Sequence, residues 1–237
     1  MRTARGRYAV PGVGEHQRLA AARTATLSHL SAALRHGWRV TTVPEDVWVT
    51  VRRKRRLRPP DLVGIRPHWN DLTAAERAAG VTSPVRTVLD CARVLPFDEA
   101  LAVADSALRS GLVSLEGLRE AAAATRGPGA TAARRVARHA DGRAANPFES
   151  VLRALALDVG LELTPQLVIA EPGLFAVVDL GNEELRLAVE ADGFETHGTR
   201  RPPCGRPDQQ QRREVLGRTV WLGLCRSQRP RGLRAGR

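Results

Sequence analysis

The sequence predicts an α+β protein of 237 residues in two parts: a mainly helical module over residues 1–145, then a smaller α/β module over residues 146–226. Three observations predict this. Residues 71–140 carry apolar stripes at helical spacing, broken by Gly127-Pro128-Gly129. Residues 163–191 carry three apolar runs of strand length, separated by the turn signals Glu171-Pro172-Gly173 and Gly181-Asn182. Between the two regions, Asp141-Gly-Arg-Ala-Ala-Asn-Pro147 is dense in turn formers and marks the boundary.

Taken in order, residues 6–10 read as a strand, punctuated by Pro11 and Gly12. Residues 15–24 and 28–36 read as helices, the second capped by Ser28 and stopped by Gly37. Val47–Val51 alternates with period two and reads as a strand. It runs into Arg52-Arg-Lys-Arg-Arg-Leu-Arg58, closed by Pro59-Pro60, which reads as a solvated hairpin in preference to a phosphate contact, returning through a strand at 62–66. Ser83-Pro84 gives a cap followed by proline at the first helical position. Helices follow over 97–110, 114–125 and 129–140. Asn146-Pro147-Phe148-Glu149 then opens a helix that runs to Gly160, with Asn146 as cap and Glu149 at N3. After the three strands, a polar helix at 207–217 and a strand at 219–224 complete the second module, and the basic segment 227–237 is expected to be disordered.

Hydrophobic residues make up 43% and charged residues 26%, so a packed core can be built, mostly from Ala, Leu and Val because aromatics are 4%. No apolar run approaches the roughly 20 residues of a membrane span. The start has charge but no apolar run behind it, so no signal peptide is read, and the cytoplasm is the expected location. Cys91, Cys204 and Cys225 are few, odd in number and without C-x-x-C spacing, which argues against a disulfide framework and a cysteine zinc site. Formal charge is +12, but it is unevenly placed. Residues 200–237 hold eleven Arg against Asp208 and Glu214, whereas residues 1–199 hold 26 basic and 23 acidic side chains. The tail makes the protein basic, and the abrupt change at residue 200 also fits a shifted reading frame.

Chemistry concentrates in Val177-Val-Asp179 and Leu187-Ala-Val-Glu190-Ala-Asp192-Gly193. Two carboxylates two residues apart on a strand share a face, so Glu190 and Asp192 converge. Pairing across the 181–184 turn brings Asp179 to them. Acids on buried strands are expensive without compensation, and Mg²⁺ (or Mn²⁺) held by carboxylates and water supplies it. Such a site can activate water for phosphodiester hydrolysis.

Phe148-Glu149 opening a helix, Val178-Asp179, Val189-Glu-Ala-Asp-Gly193 and His197-Gly198 resemble an uncharacterised bacterial family with the very-short-patch-repair-like endonuclease fold, within the PD-(D/E)xK restriction-endonuclease-like superfamily. Val81-Thr-Ser-Pro-Val-Arg-Thr-Val-Leu-Asp-Cys-Ala-Arg93 looks like the middle region of its longer members, and residues 6–13 like the last strand of an abortive-infection-antitoxin-type winged helix whose preceding helices are absent. The resemblance implies a Mg²⁺-dependent DNA endonuclease. Asp179, Glu190 and Asp192 are its implied metal ligands, Glu149 a supporting acid, and His197 a group for proton transfer or leaving-group stabilisation. Asp192 stands where the superfamily's lysine is expected, and Pro202, Pro203 and Pro207 crowd the following helix. Those departures keep two other readings open: a non-catalytic DNA-binding regulator of toxin–antitoxin type that retains the fold, and a decayed or frameshifted product. Structural roles compete residue by residue: Glu149 as a cap, Asp179 as a strand-end turn residue, His197 as a loop residue, Trp48 and Trp69 as packing, and Cys91 as core.

Overall fold

The computed structural model describes residues 2–4, 7–8, 14–171, 174–190 and 218–221, and the fold is α+β. The 207–217 helix and the 227–237 tail expected above lie outside the described residues. Two compact units form, Met1–Pro165 and Gln166–Arg237.

In the first unit, β1 (Arg2–Ala4) pairs antiparallel with β2 (Arg7–Tyr8). Helix α1 (Glu15–Ala22) leads to β3 (Thr26–Leu27) and α2 (His29–Arg35), which starts at Ser28 and ends before Gly37 at φ 80°. Strands β4 (Val47–Val51) and β5 (Ile65–Trp69) then complete a sheet of order β3-β4-β5. β3 and β4 are antiparallel, but β4 and β5 are parallel, with Val47 opposite Ile65 and Val51 opposite Trp69. The basic segment is therefore no hairpin. Parallel neighbours need a crossover of about a dozen residues, and residues 52–64, with a short 3₁₀ turn at Pro59–Leu62, are that crossover. The second strand consequently starts at Ile65 rather than Leu62.

All five residues of β4 are buried, because it is the central strand and is covered on both faces. Val47, Val49 and Val51 pack with Leu27, Ala20 and Ile65 in one cluster, while Trp48 belongs to a second. That second cluster is the helical core: α4 (Pro84–Val94), α5 (Phe97–Arg109), α6 (Leu115–Ala124), α7 (Ala130–His139) and α8 (Pro147–Asp158) bring together Val88, Cys91, Leu101, Val103, Leu118, Val136 and Ala154. Between β5 and α4, α3 (Ala74–Ala79) is closed by a capping box in which Thr73 and Glu76 bond each other's backbone N–H. Cys91 is in the core, as its position on the inward helix stripe implies, and burial pushes its thiol pKa up.

The first unit extends past the expected boundary at 145/146 because α8 is part of its core. Ala100, Ala102, Ala104 and Ala107 let the neighbours of α5 approach closely. The Arg153 guanidinium on α8 donates to Asp105 Oδ2 on α5 at 2.6 Å, with the two side chains 5% and 1% exposed. Asp105 Oδ1 also accepts the Asp141 N–H at 2.7 Å, so the turn-rich stretch is fastened to the helical core.

The second unit is a sheet of order β6-β7-β8-β9, made of β6 (Thr164–Glu171), β7 (Leu174–Asn182), β8 (Leu187–Glu190) and β9 (Arg218–Trp221). β7 and β8 are antiparallel and β8 and β9 parallel.

Candidate functional site

On β7, burial alternates as the pleat requires. Ala176, Val178 and Leu180 are buried, Phe175 and Val177 exposed, and Asp179 half-buried on the exposed side. On β8, Ala188 and Val189 are buried and Glu190 is half-buried. The ladder sets Leu180 opposite Val189, Gly181 opposite Ala188 and Asn182 opposite Leu187. The ladder ends there; carried one residue further, the same register would set Asp179 opposite Glu190. Leu180 and Val189 share one face, so Asp179 and Glu190 fall on the other, the face that also carries the buried Gly181 and Ala188. Directly opposed residues have Cβ atoms about 4.5–5.5 Å apart, and like charges there repel.

Gln166 Nε2 reaches Asp179 Oδ1 from β6 at 3.4 Å. Its backbone sits at φ 50°, in the left-handed region where a non-glycine residue is strained. Gly181 lets β6 come this close: a Cβ there would meet the Leu167 side chain at 2.5 Å. A hollow of about 380 Å³ in this unit is lined by Leu167, Asn182, Glu183, Arg186 and Leu187, and Asp179 and Glu190 are not among its walls.

The other expected site residues fall differently. Asp192 and His197 lie outside the described residues. Glu149 is in the first unit, 2% exposed, and both its oxygens are used at the start of α8. Oε2 accepts the Ala145 N–H at 2.8 Å and Oε1 the Asn146 side-chain amide at 2.6 Å. Asn146 Oδ1 in turn accepts the N–H groups of Phe148 and Glu149. The acid takes the backbone N–H of the residue before the cap and the side-chain amide of the cap, rather than the cap's own backbone N–H. Among the described residues, no group of three or more His, Cys, Asp or Glu side chains is placed to hold a metal ion.

A cluster that the sequence reading did not single out lies in the first unit. The rings of His29 (first residue of α2) and His68 (β5) stack at 3.8 Å, with Trp48 on β4 at 5.4 Å from His29 and 5.3 Å from His68. The Arg66 guanidinium lies 4.2 Å over the Trp48 ring. His29 Nδ1 shares a 2.9 Å hydrogen bond with Ser28 Oγ, and its backbone stands at φ 50°. Burial, then the neighbouring His68, Arg86 and Arg66, lower its pKa to about 2. Burial and Arg66 lower that of His68 to about 4. Both imidazoles are neutral at ordinary pH. The usable signal was Ser28-His29 at a helix start beside period-two strands, but nothing local tells that positions 29 and 68 meet.

Compared with known proteins, the chain is similar to two uncharacterized proteins from two strains of Mycobacterium tuberculosis, each 36% identical over 148 residues. The match covers 60% of this chain and 54% of each relative, so the chain spans about half the length of the relatives it matches. No family model and no solved structure matches.

Proposed function

We propose that this protein is a DNA endonuclease that hydrolyses phosphodiester bonds with Mg²⁺ or Mn²⁺. The supporting observation is the Leu180–Val189 register of β7 and β8, which continued by one residue would oppose Asp179 and Glu190 on one face. Two half-buried carboxylates with an amide donor beside one of them suit a hard, hydrated divalent cation. Asp179 and Glu190 would hold that cation, with Asp192, two residues on in sequence, and His197 as the proton-handling group. The bound ion supplies Lewis acidity and a more acidic water. Gln166 keeps Asp179 oriented by donating to Oδ1. Glu149 is assigned to holding the start of α8, since both its oxygens are taken there. A cytoplasmic setting with DNA as partner belongs to this reading. Among the described residues, no helix is long and apolar enough to cross a membrane.

The test is nicking of supercoiled plasmid by the full chain with Mg²⁺ or Mn²⁺. Asp179→Ala and Glu190→Gln each lower the rate by about 100-fold or more, and Mn²⁺ binding weakens in parallel. Absence of cleavage with either metal by a folded preparation overturns the proposal.

One observation favours a second reading, a DNA-binding regulator without catalysis. No lysine stands between 166 and 199, and Asp192 occupies the place where the resembled superfamily carries one, which removes the usual cation beside the attacking water. A gel shift that persists in EDTA and is indifferent to Glu190→Ala would select it.

A further inference from the structure

The first unit carries a concentration of charge that its own folding does not use. Residues 72–165 hold eleven Arg and eleven acids, an even balance. Residues 52–71 hold seven cationic side chains against Asp61 and Asp71. Six of the seven lie in Arg52–Arg58, the first half of the β4–β5 crossover. Arg52, Arg53, Lys54, Arg56 and Arg58 are all exposed. The ion pair of this stretch among the described residues is Arg53–Asp71 at 3.4 Å, between side chains 66% and 82% exposed, where a pair is worth little. Asp61 Oδ2 accepts the Arg58 N–H at 3.1 Å.

The segment is nonetheless held in one shape, by bonds that leave its charge intact. The Arg55 guanidinium donates to the Thr24 carbonyl at 2.8 Å, and the Arg55 N–H closes a turn on the Arg52 carbonyl at 2.8 Å. The Trp69 indole N–H donates to the Arg55 carbonyl at 2.9 Å. Arg23 clamps the far end through the carbonyls of Asp61 and Val63, each at 2.8 Å. Carbonyl acceptors neutralise nothing, so like charges are kept together on a fixed loop against their own repulsion. Trp69, expected as a packing residue, is 47% exposed, with its ring pinned beside the loop. Arg52, Lys54, Arg56 and Arg58, exposed on a held loop and in no ion pair among the described residues, with a flat apolar ring alongside, match a row of phosphates joined by sugars.

We infer that the Arg52–Arg58 loop, flanked by Trp69, is a docking surface for the phosphodiester backbone of duplex DNA. This surface is in the first unit and does not depend on the carboxylates of the second. Its occupancy needs no metal.

The experiment is fluorescence anisotropy of the full chain on a 20-base-pair DNA duplex, in EDTA, from 50 to 300 mM salt. Each engaged cation adds about 0.9 to the slope of log affinity against log salt, which is about fivefold in affinity at 0.15 M. The triple variant Arg52→Ser/Lys54→Ser/Arg56→Ser binds about 100-fold more weakly at 0.15 M salt, with a slope lower by about 2.7. The control Arg77→Ser/Arg126→Ser/Arg138→Ser removes the same charge from exposed sites in the balanced region and leaves the slope within about one unit of wild type. Circular dichroism establishes that both variants fold. Equal affinity and slope in the two triple variants overturn the inference. So does loop-dependent binding to phosphatidylserine vesicles with no loop dependence on DNA. Because the titration contains no metal, the two readings fail separately: a chain that nicks no plasmid with Mg²⁺ or Mn²⁺ but keeps the loop-dependent slope retains this surface, and one that nicks plasmid without that slope does not.

Discussion

Acid acts on this fold through His29. In the unfolded chain its imidazole has an ordinary pKa near 6.5, whereas in the folded protein it is lowered to about 2, chiefly by burial at 4% exposure. A depressed base means that the unfolded state takes up the proton first. Stability is therefore complete above about pH 7 and falls as pH drops through 6.5, and the fall continues towards the folded value. Each unit of pH in that window is worth up to about 1.4 kcal/mol per group, so between pH 7.5 and 4.5 His29 removes about 2–3 kcal/mol. That is a large fraction of a typical domain's stability. His68 acts in the same direction down to about pH 4, but more weakly, because it is only half-buried and screened. The groups facing His29 are His68 and Arg66 from β5 and Arg86 from α4. Urea titrations at pH 7.5, 6.0 and 4.5 compare wild type with His29→Phe. The variant keeps a ring against His68 but loses the Ser28 hydrogen bond, so it starts about 1 kcal/mol less stable at pH 7.5. Its stability then declines less steeply, so the two curves cross near pH 6, and at pH 4.5 the variant is the more stable by about 1–2 kcal/mol. His36 and His139, also lowered by burial, contribute alike to both proteins. Parallel curves over the whole range would refute the assignment.

Two further predictions concern the first unit. Asp105→Asn leaves the Arg153 guanidinium buried without its carboxylate and destabilises by about 3–5 kcal/mol in urea titration, while Asp105→Leu combined with Arg153→Met restores much of the loss. An unchanged midpoint for the single variant would show that the pair is not a structural tie. Gly129 stands at φ 76°, and a Cβ there would lie 2.7 Å from the Arg93 carbonyl oxygen, so Gly129→Ala lowers stability by about 2–4 kcal/mol, read as a drop in Tm. A loss below 1 kcal/mol would mean that α4 and the start of α7 separate easily.

The chain announced what depends on neighbours in sequence. Asn146-Pro147 starts α8 because an amide side chain accepts the free N–H groups of the first turn, and that geometry is complete within four residues. Val177-Val-Asp179 and Ala188-Val-Glu190 declared which side chains share a face, because the pleat alternates regardless of partner. Pairing direction was not declared. Val47–Val51 reads equally well as one arm of a hairpin or as the middle of a parallel pair, and the choice rests on covering both its faces. The same holds for α8, whose own sequence allowed it to open the second module. Asp105, 48 residues away from Arg153, ties it to the first unit instead. His29 and His68 meet because β4 and β5 run side by side, and only that packing turns two ordinary imidazoles into a buried neutral pair. Caps and pleats are local physics, written in adjacent residues, while partner choice is set by the burial of surfaces contributed from far along the chain.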